Sequence, residues 1–100
     1  MSLESIEKRI KDKLVLASGL NAKVTFDFGD DGLLFVDTTQ SPPEFSNDEN
    51  ESDITLKTSI STFENILDGT QDPNIAFMMG KLKVQGSMGL AMKLNSILED

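Results

Sequence analysis

Three short stretches alternate between apolar and polar side chains, and this alternation restricts the fold more than any other feature. The stretches are residues 22–28, 53–58 and 81–85. A period of two is typical of a β-strand that buries one face and exposes the other. A sheet with one polar face is antiparallel or mixed and carries helices on its other face only. The pattern therefore predicts a two-layer α+β domain with four or five strands.

The first strand is expected to pair with residues 33–38 in a hairpin, because residues 29–32 read Gly-Asp-Asp-Gly, a typical turn composition. Cross-strand partners share a face of the sheet. A turn of even length would therefore place Phe35 on the same face as Phe26. Residues 39–52 are expected to form a loop within the domain, with Phe45 able to anchor a short strand inside it.

About four helices are expected from apolar periodicity and capping residues. Residues 3–18 carry apolar side chains at three- and four-residue spacing. Ser61-Thr62-Phe63-Glu64 matches a capping box and is expected to begin a short helix. Asp72-Pro73 places an N-cap residue before proline at the first helical position. A last helix is expected from Gly86-Ser87 through Leu98.

The composition excludes several classes of function. The chain has no Cys and no His, so disulfides, thiolate metal sites and histidine bases are excluded. A net charge of −8 with 9 basic residues argues against nucleic-acid binding and against strong docking on anionic membranes. Neither a signal peptide nor a transmembrane run is recognisable. A cytoplasmic location is therefore expected.

Motifs for metal binding and catalysis fail at decisive positions. Read as a calcium loop from Asp48, the acidic stretch has Asp53 where glycine is required and Ser59 where glutamate is required. Gly80-Lys81 resembles the end of a phosphate loop, but Leu82 stands where Ser or Thr would bind magnesium. No metal, no cofactor and no catalysis by this chain are expected.

Methionine is concentrated near the C-terminus. Four of the five methionines are Met78, Met79, Met88 and Met92. Methionine is flexible and is common on surfaces that accept varied apolar partners. Two interpretations remain open: these side chains fill an ordinary core, or the last helix covers an apolar cavity.

The segment from Asp72 to Leu94 resembles the signature of the sterol carrier protein type 2 family. Its most specific part is residues 80–94, Gly-Lys-Leu-Lys-Val-Gln-Gly-Ser-Met-Gly-Leu-Ala-Met-Lys-Leu. The helix, strand and helix order of that signature agrees with the elements expected here. The resemblance extends more loosely over the N-terminal helix, the strand from Val24 to Phe28 and residues 53–69.

The resemblance implies a five-stranded sheet with helices on one face that enclose an apolar cavity. Members of the family are non-catalytic carriers that hold fatty acids, fatty acyl-CoA, phospholipids or sterols in a hydrophobic tunnel. Residues 1–100 are accordingly expected to form a single, stand-alone lipid-binding domain whose contact with membranes is at most transient. The alternatives are a protein-interaction module with a closed cavity and an accessory module that partners an acyl-CoA enzyme.

The cavity is expected between the apolar face of the sheet and the helices. The residues expected to line it are Phe26, Phe35, Phe63, Leu67, Phe77, Met78, Leu82, Val84, Met88 and Met92. Lys81, Lys83 and Lys93 either attract a carboxylate or CoA phosphates at a mouth of the cavity or belong to a solvated face.

Overall fold

The computed structural model describes residues 3–16 and 20–99. This part of the chain forms five strands and four α-helices, which confirms the α+β class. In chain order they are α1 (Leu3–Leu16), β1 (Lys23–Asp27), β2 (Leu33–Asp37), β3 (Glu44–Ser46), β4 (Ile54–Thr58), α2 (Ile60–Asp68), α3 (Pro73–Met78), β5 (Leu82–Gly86) and α4 (Met88–Glu99). The first helix was expected to reach residue 18; Ala17 and Ser18 lie outside the described residues.

The strands form one mixed sheet in the order β3-β2-β1-β4-β5. Strands β1 and β4 are parallel and the other neighbouring pairs are antiparallel. Asp53 fixes the beginning of the parallel pair, because its backbone N–H donates to the Lys23 carbonyl at 2.9 Å and its carboxylate accepts from the Lys23 N–H at 2.9 Å. In this order β3 and β5 form the two opposite edges of the sheet. Phe45 is the central residue of β3, as expected.

The β1–β2 register differs from the expectation for Phe35. Asp27 pairs with Leu33 and Phe26 pairs with Leu34, so five residues separate the first pair, an odd number. A short 3₁₀ turn over Gly29–Asp31 accommodates the additional residue. Phe35 lies opposite Thr25, and the prediction that it shares the face of Phe26 is wrong. The core-facing residues of β2 are Leu34 and Val36, both buried.

The core lies between one face of the sheet and helices α1, α2 and α4. Phe63 of α2 lies at its centre, with its ring edge-to-face against Phe26 and Phe28 at centroid separations of 5.5 Å. Such aromatic pairs contribute about 0.5–1.5 kcal/mol each beyond their buried area. The helices add the buried side chains Ile6, Ile10, Leu14, Leu94 and Leu98.

The other face of the sheet is polar along β1, β4 and β5, as the alternation predicted, but it is not uniformly in contact with water. Thr25 is only 6% exposed, and its hydroxyl is hydrogen-bonded to that of Ser52 in the segment that leads from β3 to β4. The β3–β4 connection therefore covers part of this face.

Capping residues define the starts of α2 and α3. The N-cap of α2 is Ser59, whose hydroxyl accepts from the Thr62 N–H at 3.0 Å, so the expected start at Ser61 is wrong by two residues. The N-cap of α3 is Asp72, as expected. Its carboxylate accepts from the backbone N–H groups of Asn74 and Ile75 at 2.7 and 3.4 Å.

Candidate functional site

A pocket of about 250 Å³ lies at the β5 end of the sheet, between β4, β5 and helices α2, α3 and α4. Most of its walls are aliphatic, aromatic or methionine side chains, and all of its lining residues are uncharged. They are Leu56, Phe63, Ile66, Pro73, Asn74, Phe77, Leu82, Val84, Met88, Ala91, Met92, Leu94, Asn95, Ser96 and Leu98. The exposed side chains of Phe77, Met88 and Met92 border its opening to solvent.

The sheet forms one wall of the pocket, because the side chains of β5 alternate between the two faces of the sheet. Leu82 and Val84 point toward the pocket, whereas Lys83 between them points to the opposite face. Leu56 lies directly opposite Val84 across the antiparallel β4–β5 pair, which places both side chains on the same face. The period of two thus separates the apolar wall from the charged outer face within one edge strand.

Helix α4 contributes the opposite wall. Leu94 and Leu98 are buried on the core side of the helix, while Met88 and Met92 lie one turn apart at the opening. Gly86 permits the sharp change of backbone direction between the end of β5 and the beginning of α4. Its φ of +121° is unfavourable for other residues, and a Cβ atom there would collide with the backbone of Asp53.

Helix α3 forms the third side and is tied to β5. Its Ala76 is completely buried, and the Ala76 carbonyl accepts from the Lys81 N–H at 2.9 Å. This contact holds the short helix against the beginning of the strand. Phe77, the next residue, consequently lies at the pocket opening.

The structure brings together six of the ten residues expected to line a cavity. These are Phe63, Phe77, Leu82, Val84, Met88 and Met92. Two of the others belong to the core: Phe26 is fully buried behind the Phe63 ring, and Leu67 is buried on α2. The remaining two point elsewhere, since Phe35 lies on the outer face of the sheet and Met78 is 82% exposed.

The residues missed by sequence reasoning show recognisable signals in retrospect. Ala91, Asn95 and Leu98 follow Met88 at helical spacing on one side of α4. Leu56 is missed because its strand pairing with Val84 is a long-range contact. The four C-terminal methionines are all exposed, so the interpretation that they fill an ordinary core is wrong.

Charged groups lie outside the pocket. Lys57, Lys81 and Lys83 line a separate, open cleft on the outer face of the sheet, together with Asp27. Lys93 is exposed beside Met92. On β2, away from the pocket lining, the hydroxyl and N–H of Thr39 hold the pKa of Asp37 below its ordinary value by hydrogen bonding to the carboxylate.

The described residues hold neither a cluster of metal ligands nor a membrane-crossing helix. Across residues 3–16 and 20–99, no three acidic side chains come close enough to hold a metal ion. Over the same part of the chain, no helix has the length and apolar character needed to cross a bilayer. The cytoplasmic location stays a prediction.

A one-sided mixed sheet that is covered by helices and has an uncharged pocket at one edge places the chain in the class of two-layer α+β domains. The model of the SCP-2 sterol transfer family matches residues 3–99. The chain belongs to this family, and the resemblance found in its sequence is confirmed.

Individual relatives show the same relationship. Human sterol carrier protein 2 is 41% identical over 51 residues, which cover 51% of this chain and 9% of the human protein. Bovine hydroxysteroid dehydrogenase-like protein 2 is 27% identical over 95 residues, covering 93% of this chain and 23% of the bovine protein. The chain thus matches less than a quarter of the length of either relative.

Solved structures show the same fold. The crystal structure of sterol carrier protein 2-like 2 from Aedes aegypti aligns with a TM-score of 0.76 at 22% identity, covering 96% of this chain and 95% of that one. A solution structure of the palmitated form of the same mosquito protein aligns with a TM-score of 0.74 at 21% identity, covering 100% and 96%. The five-stranded α+β architecture is therefore confirmed.

Proposed function

We propose that this chain is a non-catalytic carrier that binds the acyl chain of a fatty acid or fatty acyl-CoA in the pocket between β5, α3 and α4. The observation that carries the proposal is the uncharged lining of that pocket in a domain of the SCP-2 sterol transfer family. The same uncharged lining suits the apolar part of a phospholipid or a sterol.

The lining also suggests how such a ligand is oriented. An ionised carboxylate buried without a counter-charge or hydrogen bonds is strongly unfavourable. Because the lining holds no cation, the acyl chain occupies the pocket and the charged headgroup stays at the opening, near Met92 and the exposed Lys93. A CoA moiety would then remain in solvent.

The size of the pocket implies that it widens on binding. Ligand pockets for small molecules have volumes of roughly 300–1,000 Å³, compared with about 250 Å³ here. The flexible side chains of Met88 and Met92 at the opening can move without repacking the core.

An acyl chain that buries about fourteen methylenes gains about 11 kcal/mol, and association costs offset several kcal/mol of it. Micromolar affinity follows.

Native mass spectrometry of the freshly purified protein, followed by organic extraction, tests the proposal. Co-purified lipid, or uptake of an added fluorescent fatty acid, is the expected result. Met92→Glu should weaken uptake at least about tenfold, because it places a charge at the pocket opening. Met78→Glu is the matched control: Met78 is exposed but outside the lining, so uptake should be unchanged.

A folded wild-type protein that contains no lipid and takes up neither fatty acid nor acyl-CoA would show that the proposal is wrong. Equal uptake by Met92→Glu and the wild type would instead place the ligand elsewhere. Circular dichroism of each variant distinguishes loss of binding from loss of folding.

The bovine relative favours a second candidate function, an accessory module that presents acyl ligands to an enzyme. There the matched segment makes up 23% of a protein named as hydroxysteroid dehydrogenase-like. Specific co-purification of this chain with an enzyme that uses acyl-CoA would support this second candidate.

A further inference from the structure

A second cavity, an open cleft of about 410 Å³, lies on the outer face of the sheet, where β1 and β4 end and β5 begins. We term it the outer cleft. Its charged lining residues are Asp27, Lys57, Lys81 and Lys83. No described residue lines both this cleft and the apolar pocket. The outer cleft is therefore a cavity of its own, with a lining of different chemistry.

The three lysines of the outer cleft form a compact group. Lys83 lies directly opposite Lys57 on the antiparallel β4–β5 pair, and Lys81, two residues before Lys83, lines the cleft beside them. Side chains directly opposite each other have Cβ atoms about 5 Å apart. Because lysine carries its charge on a flexible four-carbon stem, the three ammonium groups can reach one ligand.

These positive charges are not matched by the protein itself. None of the three lysines forms an ion pair with another described residue. The cleft holds one carboxylate, that of Asp27, which accepts from the Gly29 N–H at 2.9 Å. Like charges directly opposite each other destabilise a sheet. An anion bound in the cleft would therefore relieve repulsion that the folded chain otherwise carries.

The acidic residues that flank these strands lie further away. Asp53 precedes Lys57 by four residues, about 13 Å at the rise of an extended strand. This distance exceeds the Debye length of about 8 Å at physiological ionic strength. Asp30 and Asp31 lie in the turn that leads away from β4 to β2, and of that turn Gly29 lines the cleft. The outer cleft is thus a local positive region on a chain with a net charge of −8.

We propose that the outer cleft binds the phosphate or pyrophosphate group of a small molecule. Lysine is a common phosphate ligand in proteins. Three ammonium groups and one carboxylate suit an anion with more than one negative charge, which a single carboxylate does not supply. Gly29 and Gly80 line the cleft with open space where a Cβ atom would stand, so a ligand can approach the backbone there.

Calorimetric titration of inorganic pyrophosphate into the protein at low ionic strength tests the proposal. The wild type should bind, and Lys57→Gln/Lys83→Gln should bind at least about tenfold more weakly, because two of the three cations are removed. Lys8→Gln/Lys93→Gln is the matched control. It changes the net charge equally, and both lysines are exposed outside the cleft, so the affinity should be unchanged.

The single variant Lys83→Glu separates loss of binding from loss of folding. It replaces a like-charge pair with an opposite-charge pair across from Lys57, so the Tm should rise. Pyrophosphate should raise the Tm of the wild type further, because a ligand of the folded state stabilises it, and should not raise that of the variant. An unchanged response to pyrophosphate in the variant would contradict the proposed site.

CoA and palmitoyl-CoA distinguish two sources of the phosphate group. If palmitoyl-CoA binds more tightly than palmitate, and Lys57→Gln/Lys83→Gln removes the difference, one molecule occupies the pocket and the outer cleft. The CoA moiety then lies in the cleft rather than in solvent. Equal affinities for pyrophosphate, CoA and palmitoyl-CoA would instead assign the cleft to a free phosphorylated compound.

Two further results would overturn the proposal. The first is a folded wild type that binds neither pyrophosphate nor CoA. The second is an equal loss of binding in both double variants, which would show a general response to net charge. The cleft does not depend on the carrier function, which uptake of fluorescent fatty acid measures separately. Lys57→Gln/Lys83→Gln should leave that uptake at the wild-type level, because neither lysine lines the pocket.

Discussion

Val84 lies directly opposite Leu56 across the β4–β5 pair, and both side chains form the sheet wall of the pocket. Val84 is half-buried and Leu56 is buried, so the wall is completed by the edge strand rather than by the middle of the sheet. A change in the size of the Val84 side chain therefore changes the pocket more than it changes the core.

Val84→Phe should fill part of the pocket and weaken fatty-acid uptake by about tenfold or more, which corresponds to ~1.4 kcal/mol. Folding should be retained, because the added volume enters an opening rather than a close-packed core. Fluorescent fatty-acid titration measures the affinity. Gln85→Phe, on the adjacent residue that points to the other face, is the control and should bind normally. Equal weakening by both variants would contradict the assigned wall.

Gly86→Ala should destabilise the protein by about 2 kcal/mol or more, because positive φ is strained for alanine and its Cβ would collide with the Asp53 backbone. Gly80→Ala is the control. Its φ of +77° is also positive, but nothing lies within 4 Å of the added Cβ, so the cost should be about 1 kcal/mol. Urea denaturation measures both free energies of unfolding. Equal costs would show that the close approach at Gly86 is not important.

Ser59→Ala should cost about 1 kcal/mol of stability, because it removes the side chain that caps α2 through the Thr62 N–H. Ser61→Ala, two residues along, should remain within about 0.5 kcal/mol of the wild type, as expected for an exposed position. Thermal denaturation of the two variants distinguishes the observed start of the helix from the start that the capping-box pattern suggests. A larger effect at Ser61 would favour the latter.

Saturation with a fatty acid should stabilise the protein. A ligand at a hundred times its dissociation constant adds about 2.7 kcal/mol to the free energy of unfolding. For a domain of this size that corresponds to a rise in Tm of about 10 °C or more. Differential scanning calorimetry measures it, and Met92→Glu at the same ligand concentration should show a much smaller rise. An identical rise in the variant would indicate that the lipid acts away from the pocket.

Local patterns in the sequence were sufficient for the class of fold and for most of its elements. The alternation in residues 22–28, 53–58 and 81–85 identified three strands and the polar face that each presents. Asp72-Pro73 located the beginning of α3. These signals are reliable because side-chain period and capping depend on neighbours a few residues away.

The register of the β1–β2 hairpin could not be predicted from such local patterns. The composition of residues 29–32 predicts a turn, but the register depends on whether an odd or an even number of residues closes it. The 3₁₀ turn over Gly29–Asp31 makes that number odd, which turned Phe35 away from the core face and turned Leu34 toward it. A difference of one residue reversed every inward-facing position of β2.

The sequence alone determined that this chain forms a helix-covered sheet of the SCP-2 family and that its C-terminal segment is rich in methionine. Only the tertiary structure decided which apolar residues line a pocket and which fill the core. Phe26 and Phe63 are both apolar and buried, yet the Phe63 ring covers Phe26 and reaches the pocket itself. The distinction depends on the pairing of β4 with β1 and β5 and on the position of α4. These are contacts between distant parts of the chain, which no local period encodes.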